Sequence, residues 1–205
     1  MREKDYATAI RARIEKAKRG SIFVMSDFAD LAPNNAANRV VTRLVGESLL
    51  RVVIRGIYQK PIFSKFLNDW EEPAVNDVAQ AIARKNGWRI NPDGDTALNM
   101  LGLTTQVPSN WCYVSDGPYK TYVYGTGKIV FKHSSNRLMG NLSRDAALFV
   151  QALKALGEDH VDGEVLKRIE KRFTVAQLNE IEKGTRSAPD WIHAKAIAVK
   201  VLGRA

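Results

Sequence analysis

Apolar positions recur along this chain at two periods, three-to-four and two, and where one gives way to the other the elements change. In residues 5–18, Tyr6, Ile10 and Ile14 share one face while Arg11, Arg13, Lys16, Lys18 and Arg19 occupy the rest, predicting a first helix that Gly20 ends. Ser21-Ile22-Phe23-Val24 reads as a short strand. Residues 26–31 predict a short helix capped by Ser26. Pro33-Asn34-Asn35 breaks the chain, with Asn34 or Asn35 capping a second helix. In that second helix Ala37, Val40, Val41 and Leu44 fall on one buried face, and the opposite face carries Asn35, Asn38, Arg39, Thr42 and Arg43. Two apolar runs around Arg55-Gly56, with Arg51 and Arg55 at their ends, predict a two-stranded ribbon. Short helix, turn, helix, ribbon is the order of a winged helix-turn-helix, assigned here to residues 1–60.

Residues 61–76 change character. Pro61, Asn68, Asp69, Trp70, Glu71, Glu72 and Pro73 suit neither helix nor strand, so the stretch reads as a linker, with Phe63, Phe66, Leu67 and Trp70 apolar enough to dock on a domain. Residues 77–205 predict a second, α+β domain. A helix over 78–85 stops at Asn86-Gly87, a strand covers 88–90, and a helix over 96–101 is capped by Asp95 and ended by Gly102. Strands at 111–115, 120–124 and 128–132 are separated by Asp116-Gly117-Pro118 and Gly125-Thr126-Gly127, which predicts a small, mostly antiparallel sheet. The tail is helical. Ser143 caps a helix with an Ala147, Val150, Leu153, Leu156 stripe closed by Gly157, Asp162 starts another through Phe173, Thr174 and Gln177 fit a capping box, and a last helix covers 191–202.

Charge sharpens the picture of the first domain. The net charge is +9, and residues 1–60 hold 12 Lys and Arg against 6 Asp and Glu, two-thirds of the excess. Such a balance favours a polyanionic partner, and Asn, Arg and Thr on an exposed helix face are the side chains that read base edges and hold phosphates. Arg51 and Arg55 are placed to touch backbone phosphates. The plainer reading is a solvated polar face, or a helix-turn-helix used for protein contacts. No run reaches the length of a membrane span, and the first residues lack the apolar core of a signal peptide. Cys112 is the single cysteine and has no disulfide partner, so a cytoplasmic location is expected and no membrane contact. Cys112 itself reads as an inert thiol in a buried strand.

Enzymatic chemistry has little to stand on. His133, His160 and His193 lack metal-ligand spacing, and no P-loop, dinucleotide fingerprint or nucleophile elbow is present, so neither an enzyme nor a cofactor is expected. Asp93, Asp95 and Asp116 with His133 are the one set that a metal-dependent nuclease could use, against the ordinary placement of Asp in turns and caps. Thr104-Thr105-Gln106-Val107-Pro108 comes after a helix-ending glycine and offers either a binding surface or a loop whose hydroxyls satisfy local backbone.

Several stretches resemble the AbiEi-type antitoxins of bacterial type IV toxin–antitoxin systems. They are Arg55-Gly56-Ile57-Tyr58, Val78-Ala79-Gln80-Ala81-Ile82-Ala83-Arg84, the run from Ala97 through Leu101-Gly102-Leu103-Thr104-Thr105-Gln106-Val107-Pro108, Tyr113-Val114-Ser115-Asp116-Gly117 and Phe131-Lys132-His133-Ser134-Ser135. The resemblance runs from about residue 20 to about residue 156, and the Leu-Gly-Leu-x-Thr-Gln-Val-Pro run is its most specific part. It implies a winged helix that binds double-stranded operator DNA and represses its own operon. It also implies a second domain that neutralises a nucleotidyltransferase-like toxin without a stable complex. Asp93, Asp95, Thr104, Thr105 and Gln106, at element ends of that second domain, are the expected antitoxin surface. The rival from another class is an interaction scaffold that grips a partner protein and regulates no promoter.

Overall fold

The apolar spacing of the second predicted helix is kept in the structure. α2 (Asn34–Gly46) buries Ala37, Val40, Val41 and Leu44, the four residues of its apolar stripe. Full burial of a Val or Leu side chain is worth about 1.5–3 kcal/mol, so this stripe dominates the local energetics. The computed structural model describes residues 3–134 and 142–203. Its α+β chain divides into two compact units, residues 1–88 and 89–205.

In the first unit α1 (Glu3–Lys16) buries Ile10 and Ile14 against α2. β1 (Ile22–Val24), β2 (Arg51–Ile54) and β3 (Ile57–Gln59) form an antiparallel sheet in the order β1-β3-β2. The predicted short helix over 26–31 is a 3-10 turn, Met25–Phe28, and Ser26 does not cap it. Asp27 takes that part: its Oδ2 accepts from the Val24 N–H at 2.9 Å, while buried Phe28 pins the turn to the core. Neither Asn34 nor Asn35 caps α2. Pro33 holds the cap position, and its carbonyl accepts from Ala37 N–H at 2.9 Å.

Residues 61–76 hold more structure than a linker. β4 (Phe63–Ser64) and β5 (Asp69–Trp70) pair as a hairpin, and Phe63 and Trp70 meet edge to face at 5.3 Å. α3 (Val75–Asn86) then packs on β1 and β3 and belongs with the first unit rather than the second. Its Val78, Ala79, Ala81 and Ile82 are buried, and Gly87 closes it at φ 69°.

The second unit opens with β6 (Ile90–Pro92), two residues later than the sequence predicts. Pro92 ends an edge strand, the position where a missing N–H is tolerated. β7 (Asn110–Ser115), β8 (Lys120–Tyr124) and β9 (Gly127–His133) complete a four-stranded sheet in the order β6-β7-β9-β8. Two of its pairings are antiparallel, but β7 and β9 run parallel, because β8 occupies the edge and acts as the return strand. Tyr113 and Phe131, fully buried, stack across that parallel pair at 5.9 Å.

α4 (Asp95–Met100) lies on β7 and on α5 (Arg144–Leu156). Asp95 is its first residue and makes no cap. Buried Thr96 ties helix to sheet, its Oγ1 accepting from Cys112 N–H at 2.7 Å. α6 (Gly163–Glu170), α7 (Val175–Gly184) and α8 (Asp190–Leu202) close the unit around Phe149, Leu153, Ile169, Ile181, Ile192 and Val199. The caps at Ser143 and Asp162 and the Thr174–Gln177 box form as the sequence predicts. Among the described residues no helix is long and apolar enough to cross a membrane. Ser135, at the edge of one family-like stretch, lies outside the described residues.

Candidate nucleic-acid interface

Burying one stripe of α2 forces its other residues outward. Asn34, Asn35, Asn38, Arg39, Thr42 and Arg43 are all exposed, one more asparagine than the sequence pattern selects. Asn34 was legible in the same periodicity, since it stands four residues before Asn38. The outer face is not uniform. The Thr42 hydroxyl donates to Asn38 C=O at 2.8 Å, one turn back, so only its lone pairs face outward. Arg43 Nε stands 3.5 Å from Glu47, a carboxylate that also takes Arg11.

The two ribbon arginines part company. Arg55 is exposed in the two-residue β2–β3 turn, beside Gly56 at φ 79°. Its carbonyl accepts from Lys85 Nζ at 2.6 Å, so α3 fastens the tip of the ribbon. Arg51 is engaged within its own unit. Its guanidinium carbon sits 5.8 Å from the centre of the Trp70 ring, and its Nη2 donates to Glu72 at 3.2 Å. Its Nη1 is out of solvent, as is Gln59 Oε1 on the directly paired residue of β3, and neither has a hydrogen-bond partner.

In the second unit Asp95, Thr104 and Gln106 line one open hollow of about 240 Å³ with Val107, Pro108 and Ser109. Thr105 is exposed beside it. Much of the polar chemistry there is already bonded. Thr104 Oγ1 accepts from Gln106 N–H at 3.1 Å, and the Gln106 carbonyl accepts from Asn99 Nδ2 at 2.9 Å. Asp93 pairs with Lys132 at 3.0 Å, and the Lys132 ammonium is pushed up by that carboxylate. The loop is anchored from below, since Arg168 donates to the Gly102 carbonyl.

The acidic set does not converge. Asp116 holds Arg89 through its backbone N–H at 2.8 Å and its Nε at 3.1 Å, and His133 Nδ1 lies 2.9 Å from Gly117 C=O. Among the described residues no group of three or more His, Cys, Asp or Glu is placed to share a metal ion. Cys112 is half-buried, and burial pushes its thiol up, toward the unreactive protonated form.

Chemically the arrangement therefore offers one projecting face of amides and guanidiniums on a rigid helix, and one polar hollow largely bonded to itself. A comparison with curated proteins finds no match. Residues 9–181 match the profile of DUF6088, described as a family of unknown function, and the chain belongs to that family.

Proposed function

We propose that this chain is a DNA-binding regulator of the AbiEi antitoxin type, with its first unit acting as a winged helix on operator DNA. The observation that carries the reading is α2. Its apolar stripe is buried, and Asn35, Asn38, Arg39 and Arg43 project from the opposite side of a helix rigid enough to enter a major groove. The turn before it and the β2–β3 ribbon after it supply the rest of the motif, with Arg55 rather than Arg51 as the ribbon's backbone contact. The charge excess of residues 1–60 supports the same partner.

The antitoxin half of the proposal draws on the resemblance of the Leu101–Pro108 stretch and its neighbours. On that reading the second unit neutralises a nucleotidyltransferase-like toxin in the cytoplasm, and the hollow bordered by Asp95, Thr104 and Gln106 is its working surface. Retardation of the DNA just upstream of the gene tests the first half. With about four to six phosphate contacts, log K falls with log salt at a slope of about −4 to −5. A flat salt response would end the DNA reading. Rescue of growth in cells expressing the adjacent toxin gene tests the second half.

A further inference from the structure

Two consecutive cations end α3, and the structure uses them differently. Arg84 and Lys85 stand in its last turn, where positive charge meets the free carbonyls of a helix end. Both reach away from that end. Arg84 turns back to the start of the helix-turn-helix: its Nη2 donates to Ile22 C=O at 3.2 Å and stands 3.5 Å from Asp27. Asp27 is the carboxylate that bonds the Val24 N–H at the 3-10 turn, so Arg84 braces the scaffold. Lys85 crosses instead to the tip of the ribbon, 30 positions back, where its Nζ donates to Arg55 C=O at 2.6 Å. Gly56 makes the room for it. A Cβ there would stand 2.9 Å from Nζ and 3.1 Å from Cε of Lys85.

This contact changes what the tip presents. A carbonyl in an exposed turn is a partial negative charge, and it opposes a phosphate that the Arg55 side chain attracts. The Lys85 ammonium covers that oxygen. An ammonium has three N–H donors and no acceptor, and the carbonyl takes one, so two remain for an incoming acceptor. Lys85 and Arg55 are both exposed. The tip therefore carries two full positive charges, one from the β2–β3 turn and one from a helix that follows the ribbon in sequence. The bond also fixes the peptide that bears Arg55, which lowers the ordering cost of placing its side chain on a ligand.

We infer that Lys85 is itself a DNA-backbone contact and the positioning residue for Arg55, so that the interface extends past residue 60 to the end of α3. The inference rests on the DNA reading of the first unit. It draws on that unit alone, since α3 and the ribbon both lie within residues 1–88. A backbone phosphate is the group the pair fits. Its oxygens accept from an ammonium as a point charge and from a neighbouring guanidinium as a fork. Such contacts carry no sequence information, so Lys85 adds affinity and register rather than base preference.

Retardation of DNA by the full chain, titrated with salt, separates the outcomes. Lys85→Met keeps an apolar stem and removes the charge. Its plot of log K against log salt should be shallower by about one, for operator and random DNA alike. Its melting curve should stay near that of wild type, because the lost contact is a single exposed one. Lys85→Arg keeps a cation within reach of the carbonyl and should hold the wild-type slope. Arg84→Met removes the adjacent cation, which is engaged with Asp27, so it should lower the melting curve and leave the slope alone. Arg55→Ala, made with and without Lys85→Met, reads the positioning role. Together the two changes should weaken binding less than the product of their separate effects. A Lys85→Met slope equal to that of wild type would overturn the inference and leave the DNA reading standing. Equal shallowing by Arg84→Met would also overturn it, by placing the effect in the overall charge of the unit. Multiplicative losses in the double variant would remove the positioning role. A wild type that retards no DNA would end the DNA reading and this inference with it.

Discussion

The outer face of α2 and the loop around residues 93–106 draw on the same kinds of polar side chain, yet the structure uses them in different ways. On α2 the polar residues are those a buried apolar stripe leaves outside, and they stay exposed even where Thr42 bonds the Asn38 carbonyl and Arg43 approaches Glu47. Around the loop the polar groups hold the chain to itself: Thr104 to the Gln106 N–H, Asn99 to the Gln106 carbonyl, Asp93 to Lys132 and Thr96 to Cys112. Side-chain type alone does not separate a working surface from a scaffold. The backbone groups that need partners do, because a regular helix satisfies its own and an irregular loop does not. Changes on α2 should therefore alter binding and leave stability alone, and changes around the loop should do the reverse.

The largest test of that contrast is Arg39→Ala and Arg43→Ala. Each lost bidentate base contact costs about 1–3 kcal/mol, so operator affinity should fall by roughly ten- to a hundredfold per residue, with random DNA affected far less. The melting curve should not move, since both side chains are exposed. Arg51→Ala is the informative companion. It removes a cation–π contact and an exposed ion pair, each worth up to about 1 kcal/mol, and should lower the urea midpoint while leaving the salt slope of DNA binding unchanged. A slope shallower by about one for Arg51→Ala would put it on the DNA backbone after all.

Next in size is Thr96→Val, of nearly the same shape but with no hydroxyl. The Cys112 N–H would be left without its acceptor in a part-buried strand, which costs about 1–3 kcal/mol. Hydrogen exchange should report faster opening at Cys112 and along α4, with DNA retardation unchanged. If Thr96→Val left stability intact and altered toxin rescue, the loop would be a working surface and the contrast would fail.

How much of this was legible beforehand obeys the same physics. The buried faces of α1 and α2 stood in the spacing of their apolar residues, because a helix has one period and one stripe, whereas α5 buries Ala146, Leu148, Phe149 and Ala152 besides the predicted Ala147, Val150 and Leu153, and leaves Leu156 only partly buried. The capping pairs at Ser143, Asp162 and Thr174–Gln177 are local and were readable for that reason. Ser26, Asn34, Asn35 and Asp95 were equally plausible caps, but Val24, Pro33 and Gly94 hold the cap positions, none of them with a capping side chain of its own. The β4–β5 hairpin was hidden because Asp69 and the Pro61 and Pro73 flanks mask two-residue strands. The parallel β7–β9 pair is a long-range choice that three neighbouring strand signals leave open. Arg51's engagement with Trp70 and Glu72 joins residues some twenty positions apart, beyond any local pattern.

The smallest effect concerns which cations make up the basic excess. Arg13 counts in it like any other cation, yet both its terminal nitrogens reach Asp30, at 2.6 and 2.7 Å, and one also donates to the Asp27 carbonyl. The Arg13 guanidinium, through that hydrogen-bonded pair, holds the Asp30 carboxyl below the usual carboxylate range. A carboxyl depressed in the folded state contributes stability that is fully present above its ordinary range and is lost as pH falls through the lowered value. Asp30 is an exposed partner, so the contribution is small and salt weakens it further. Asp30→Asn should therefore lower the urea midpoint of the first unit slightly at pH 7 in low salt. The difference should shrink in high salt and disappear once acid has protonated Asp30 in wild type. Arg43→Ala should show almost no such difference, because its contact with Glu47 is single and long, at 3.5 Å. A difference for Asp30→Asn that persisted unchanged into acid would mean that Asp30 acts through packing rather than charge, and Arg13 would then rejoin the cations available to a polyanion.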